Sequence, residues 1–191
     1  MSSPTPPLIL LSGSLGSGKT TVARLLAEQL PDGVHLESDL VYTFFRHPVP
    51  PHLPQAQRQN EAAIAAACQA ALALLRRGYP VVLEGVLGPW VLPLVQAELA
   101  GWAGPVHYVI LRTTHDEALR RVRARSGPGL DAVVAAMHPQ FEALGSWERH
   151  VVDTTALTAE AVVGRVLGGI LGRDWVWRLR DALPAAVEGV P

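Results

Sequence analysis

The sequence predicts an α/β protein with a parallel sheet covered by helices on both faces, and three observations carry that expectation. Short apolar runs alternate with stretches of helical periodicity along most of the chain. A glycine-rich stretch joins the first apolar run to the first helical one. Acidic residues stand at the ends of the strand-like runs, and ligands of open α/β sheets lie beyond those carboxyl ends.

After prolines 4, 6 and 7, Leu8–Leu11 reads as a buried parallel strand. Thr20–Leu30 follows as a helix, with Val22, Leu25, Leu26 and Leu30 at helical spacing. Pro31-Asp32-Gly33 is a turn into a short strand, Val34–Glu37, which ends at Ser38-Asp39. Four prolines make Arg46–Pro54 an extended loop. A long helix spans about Gln55–Arg77 and stops at Gly78. Val81–Leu83 is the third strand, ending at Glu84-Gly85, and a helix holding Pro89 and Pro93 follows. Val106–Leu111 and His150–Val152 are the fourth and fifth strands. Further helices are expected at His115–Arg125, Leu130–Leu144, Thr158–Leu171 and Asp174–Leu183. No repeat or linker divides the chain, so residues 1–191 are expected to form a single domain.

Composition narrows the function. A net charge of −1 lacks the broad basic footprint of sequence-independent nucleic-acid binding. A single cysteine, Cys68, excludes an intrachain disulfide and reads as an inert core thiol. No signal peptide or apolar run of bilayer length is seen, so the expected location is cytoplasmic, with no membrane partner. The histidines lack metal-ligand spacing.

Gly13-Ser14-Leu15-Gly16-Ser17-Gly18-Lys19-Thr20 matches GxxxxGK[ST] at every fixed position, between a strand and a helix. The glycines let successive N–H groups converge on phosphate oxygens, and the helix adds its positive end. Lys19 is expected to reach the β- and γ-phosphates, and the Thr20 hydroxyl to bind Mg²⁺. Lys19 is also the only lysine among sixteen basic residues, as expected where a compact ammonium cannot be replaced by a guanidinium. With no NKxD, DxxG or LSGGQ motif, guanine specificity is disfavoured and ATP is the expected nucleotide.

Three acids fall at strand ends. Asp39 is a candidate base for an attacking hydroxyl, or an N-cap. Glu84 is a candidate for Mg²⁺ or substrate, or a solvated turn acid. Asp153, with Thr154 and Thr155, lies near the expected adenine edge, or starts a turn. On the helix from His115, Ala118, Leu119 and Val122 face inward while Arg120 points to solvent. Arg121 and Arg125 share a flank and are expected to reach one ligand, unless they form a solvated basic face. Phe44, His47 and His52, beside Phe45, and Trp90 are candidates for a substrate pocket, with a surface loop or core packing as the alternatives. Trp175 and Trp177 suit core docking or a homodimer contact better than ligand binding.

These residues resemble the small P-loop kinases of the nucleotide-kinase-like superfamily, over about Leu8 to Ile170. Within that group the resemblance is to chloramphenicol phosphotransferase, gluconate kinase and tunicamycin-resistance ATP-binding proteins. It implies a three-layer P-loop fold with a five-stranded parallel sheet in the order 2-3-1-4-5. It places the acceptor-binding carboxylate on Asp39 and an RxxxR pair on Arg121 and Arg125, beside a short lid at Ser126–Leu130. Where such kinases often carry Asp-Gly after strand three, this chain has Glu84-Gly85. The implied activity is ATP- and Mg²⁺-dependent phosphorylation of a small-molecule hydroxyl, such as that of an antibiotic or sugar-like compound. A nucleoside or nucleotide kinase and a non-catalytic ATP-binding module are the competing readings. A polynucleotide kinase is disfavoured by the absence of a long basic run.

Overall fold

Five parallel strands form one sheet in the order β2-β3-β1-β4-β5 in the computed structural model, which describes residues 5–180 and 183. They are β1 (Leu8–Gly13), β2 (Val34–Glu37), β3 (Val81–Gly85), β4 (Val106–Arg112) and β5 (Val151–Asp153). Central β1 is buried throughout and pairs with both β3 and β4, which explains its unbroken apolar run. Strand alternation divides the core. Leu8 and Leu10 face one side with α2 (Gln57–Leu75) and α3 (Leu92–Glu98). Ile9 and Leu11 face the other with α1 (Lys19–Gln29) and α6 (Ala159–Gly172). The expected three-layer fold and strand order are therefore observed.

Cys68 is fully buried in α2, where burial, and then the charge of Glu98, push its thiol up to about 12. Buried histidines serve the backbone: His150 Nδ1 donates to Tyr108 O, and His138 Nε2 to Thr113 O, each at 2.8 Å.

Two helices differ from expectation. The stretch from Leu130 to Leu144 holds only a short α5 (Asp131–Met137), followed by a 3₁₀ turn over His138–Phe141. Pro139 lacks the N–H that would continue the helical ladder. At the C-terminus, no helix runs from Asp174 through Arg180, and residues 181 and 182 lie outside the described part. Arg173, at φ 63°, ends α6, and the chain then lies antiparallel against β4 through a Val176–His107 bridge. The reason is an open edge. β5 covers only Ile110–Arg112, leaving backbone groups of Val106 and Tyr108 to be satisfied otherwise. Tyr108 N donates to Trp175 O at 2.8 Å, and Trp177 N to Val106 O at 2.9 Å. Both tryptophans are consequently buried in the core.

Candidate active site

The loop between β1 and α1 lies at the carboxyl end of the sheet. Gly16 and Gly18 take φ values of 85° and 94°, which L side chains rarely adopt. A Cβ on Gly16 would sit 2.7 Å from Ala118 O, so only glycine lets this loop pack on the backbone of α4 (His115–Ser126). The first-turn N–H groups of α1 lack partners within the helix and, with the helix dipole, favour an anion. The buried hydroxyls of Ser14 and Ser17 have no hydrogen-bond partner among the described residues.

Lys19 is only 7% exposed, yet it enters no salt bridge among the described residues. Burying an unpaired ammonium is costly, and a bound phosphate would offset that cost. Thr20 Oγ1 donates to Glu84 Oε1 at 2.9 Å. Glu84 is 1% exposed, and its Oε2 has no hydrogen-bond partner among the described residues. His35 Nε2 lies 3.9 Å from Glu84 Oε1, a neighbour that sequence spacing did not indicate. Among the described residues, no group of three His, Cys, Asp or Glu is placed to hold a metal alone. The Thr20 hydroxyl and Glu84 carboxylate are instead hard oxygen donors, of the kind that holds Mg²⁺ together with phosphates and water.

Asp39 follows β2 in a 3₁₀ helix, Ser38–Phe44, instead of capping an α-helix from Leu40. Ser38 is buried against Gly85, where a Cβ would collide with its hydroxyl. That contact brings Asp39 near the end of β3. Asp39 is exposed at the surface, yet the atoms gathered about its carboxyl partly desolvate it and raise its pKa above the ordinary value. The charge of Lys19 opposes this shift and that of Glu84 adds to it, so all three groups share one electrostatic neighbourhood.

On the other side of the loop, a cavity of about 550 Å³ is bounded by Ser17, Gly18, Thr21, Arg121, Thr154 and Leu157. Arg121 fixes its rim. Nε donates to Glu117 Oε1 at 2.7 Å, Nη2 to Thr154 O at 2.8 Å and Nη1 to Thr154 Oγ1 at 3.3 Å. Thr154 Oγ1 in turn donates to Ser17 O at 3.1 Å, linking the end of β5 to the glycine loop. Sequence spacing singled out Asp153 here, but its Oδ1 accepts from Thr155 N at 2.8 Å and holds the turn. Hydrogen bonds from Thr155 keep that carboxyl below its usual range. Thr154 and Thr155, which the sequence places with Asp153 at this edge, line the cavity instead.

The two candidate arginines have no hydrogen-bond partner in common among the described residues. Arg125 is exposed, and its Nε approaches Ser126 Oγ at 3.4 Å. Arg123 pairs with Asp131, which follows the 126–130 segment, at 2.7 Å. Of the substrate candidates, Phe44 is 81% exposed, and His47 and His52 are exposed in the proline-rich loop. Trp90 is half-buried, with its ring edge-on to Phe141 at 5.2 Å.

A family model described as an AAA domain matches residues 8–144. The chain belongs to this AAA-domain family. Among curated proteins, none matches the sequence. The AAA-domain chain is similar in structure to the Mycobacterium tuberculosis APS kinase CysC solved with AMPPNP and APS. That match has a TM-score of 0.66 and 16% identity, covering 88% of this chain and 99% of the other. It is similar also to a gluconokinase from Sinorhizobium meliloti, with a TM-score of 0.60, 19% identity and coverage of 90% and 95%. The tunicamycin resistance protein of Deinococcus radiodurans matches with a TM-score of 0.63 and 19% identity, over 86% and 95%. At such identities the likeness is one of fold, and it is the P-loop kinase fold. No helix among the described residues is long and apolar enough to cross a membrane.

Proposed function

We propose that this protein is an ATP-dependent phosphotransferase whose acceptor is a hydroxyl of a small molecule, such as an antibiotic or sugar-like compound. The observation that carries the reading is the gathering of Lys19, Glu84 and Asp39 at the carboxyl ends of the strands, against the glycine loop. Lys19 and the loop N–H groups bind the triphosphate. Thr20 and Glu84 supply the protein's oxygens to Mg²⁺, which when bound neutralises charge on the phosphates. Asp39 orients the acceptor hydroxyl and accepts its proton; a raised pKa makes its carboxylate a stronger base at neutral pH. Arg121 contacts the nucleotide, and Arg125 reaches the phosphoryl group when the lid at 126–130 closes. An ATP donor implies the cytoplasm as the working compartment.

ADP release measured over an acceptor panel tests the reading. Asp39→Ala should leave ATP affinity within about twofold and lower turnover by about 10²-fold or more. Full turnover in that variant would remove Asp39 from the chemistry. ATP binding without phosphorylation of any acceptor would favour a non-catalytic module instead.

A further inference from the structure

The side chains that follow Asp39 limit what can lie beside it. Ser38–Phe44 is a 3₁₀ helix, in which residues three apart eclipse. Asp39 and Tyr42 therefore share one row, and Phe45 extends it, its N–H bonded to Tyr42 O at 3.2 Å. The other two rows point elsewhere. Ser38 is buried against Gly85 and Val41 packs on the core, while Leu40 and Thr43 are exposed. Phe44, one of the aromatics that the sequence offered for a substrate pocket, lies on the Ser38–Val41 row and not on that of Asp39.

Tyr42 and Phe45 are half-buried, so each presents part of its ring. Among the described residues the Tyr42 hydroxyl has no hydrogen-bond partner. Burial, and then the charge of Asp39, push this phenol up to about 12, so it remains a neutral donor at physiological pH. The loop beyond is held in place. Val49 N donates to Gln59 Oε1 at 2.9 Å, Gln59 Nε2 to Val49 O at 2.8 Å and Asn60 Nδ2 to Pro51 O at 2.8 Å. The ledge next to the carboxylate is thus aromatic, and the proline-rich loop that follows it is tied to α2.

We propose that Tyr42 and Phe45 determine acceptor specificity, selecting an alcohol that carries an aryl or similarly flat apolar group beside its reacting hydroxyl. The ring of the acceptor packs along Phe45 and Tyr42 while its hydroxyl meets Asp39, and the Tyr42 hydroxyl donates to a second acceptor oxygen. This rests on the phosphotransferase reading and names the substrate class for that same site.

Phenyl β-D-glucoside and D-glucose make a matched pair of probes, differing in the aryl group. Calorimetric titration into the full chain with a non-hydrolysable ATP analogue should give about tenfold or tighter binding of the glucoside. Tyr42→Ala and Phe45→Ala should each reduce that preference at least severalfold while leaving affinity for the analogue within about twofold, which also reports on folding. Tyr42→Phe keeps the ring, and should preserve the preference while weakening binding of the glucoside. Equal binding of the two probes, or a preference that survives both alanine variants, overturns the inference. Phosphorylation of glucose or gluconate with no preference for the glucoside overturns it too, and leaves the kinase reading standing. Aryl-selective binding without transfer to any acceptor supports the ledge and refutes the kinase reading.

Discussion

Thr20 Oγ1 donates a hydrogen bond to Glu84 Oε1 at 2.9 Å, tying the first turn of α1 to the end of β3. The two residues are 64 positions apart, and the order β3-β1 in the sheet is what brings them together. The second carboxylate oxygen of Glu84 is buried with no hydrogen-bond partner among the described residues, so one oxygen is committed to Thr20 and the other is unpaired.

Glu84→Gln keeps the shape and removes the charge. Binding of an ATP analogue without Mg²⁺ should change little, whereas the gain in affinity on adding Mg²⁺ should fall about 10–100-fold. Calorimetry with and without the metal reads both quantities. An undiminished Mg²⁺ effect would exclude Glu84 from the metal site.

Arg121 and Arg125 should separate in their effects. Arg121 is bonded to the end of β5 at the rim of the cavity, so Arg121→Ala should weaken ATP binding about tenfold or more. Arg125 is exposed and away from that rim, so Arg125→Ala should leave ATP affinity within about twofold. If the lid carries Arg125 to the phosphoryl group, the same variant lowers kcat by about 10²-fold. Nucleotide titration and steady-state kinetics on both variants test this.

Glu117 accepts hydrogen bonds from Arg120 and Arg121, which hold its carboxyl at about 2 against an ordinary value of 4.5. A folded-state pKa below the unfolded one stabilises the fold above the unfolded value and loses that contribution as pH falls through the folded value. Melting temperatures of the native chain and of Glu117→Gln should therefore differ most above pH about 4.5 and converge near pH 2. Because its partner Arg120 is exposed, added salt should shrink the difference. A gap that persisted at pH 2 would show that packing, not charge, underlies it.

Gly85 permits the approach of Ser38 to β3. Gly85→Ala should cost about 1–3 kcal/mol of stability through overpacking. It should also lower kcat more than it weakens ATP binding, because the displaced chain carries Asp39. Adding Ser38→Gly should restore part of both losses, and failure to do so would place the strain elsewhere.

Most of the fold was legible in the sequence because its signals are local. An apolar run such as Val106–Leu111 is buried on both faces whatever its neighbours, and a GxxxxGK[ST] loop is recognised within eight residues. Where the outcome depended on a distant partner, local reading failed. Residues from Asp174 carry helix-compatible side chains, yet the open edge of β4, some seventy positions earlier, captures them as an extended strap. Pro139 shortened the helix after Leu130, a local signal outweighed by the periodicity around it.

By itself, the sequence determined the phosphate loop, its lone lysine and the acids at the strand ends, since these follow from residue type and short-range spacing. Only the tertiary structure decided how those groups meet. It joined Thr20 to Glu84, put the Thr154 backbone and hydroxyl against Arg121, and left Asp153 to hold a turn. It also put Tyr42 and Phe45, not Phe44, on the row of Asp39, in a 3₁₀ helix whose Ser38 packs on Gly85. The physical reason is the same in each case. Side-chain direction at a loop is set by what the loop packs against, and that surface comes from other strands of the sheet.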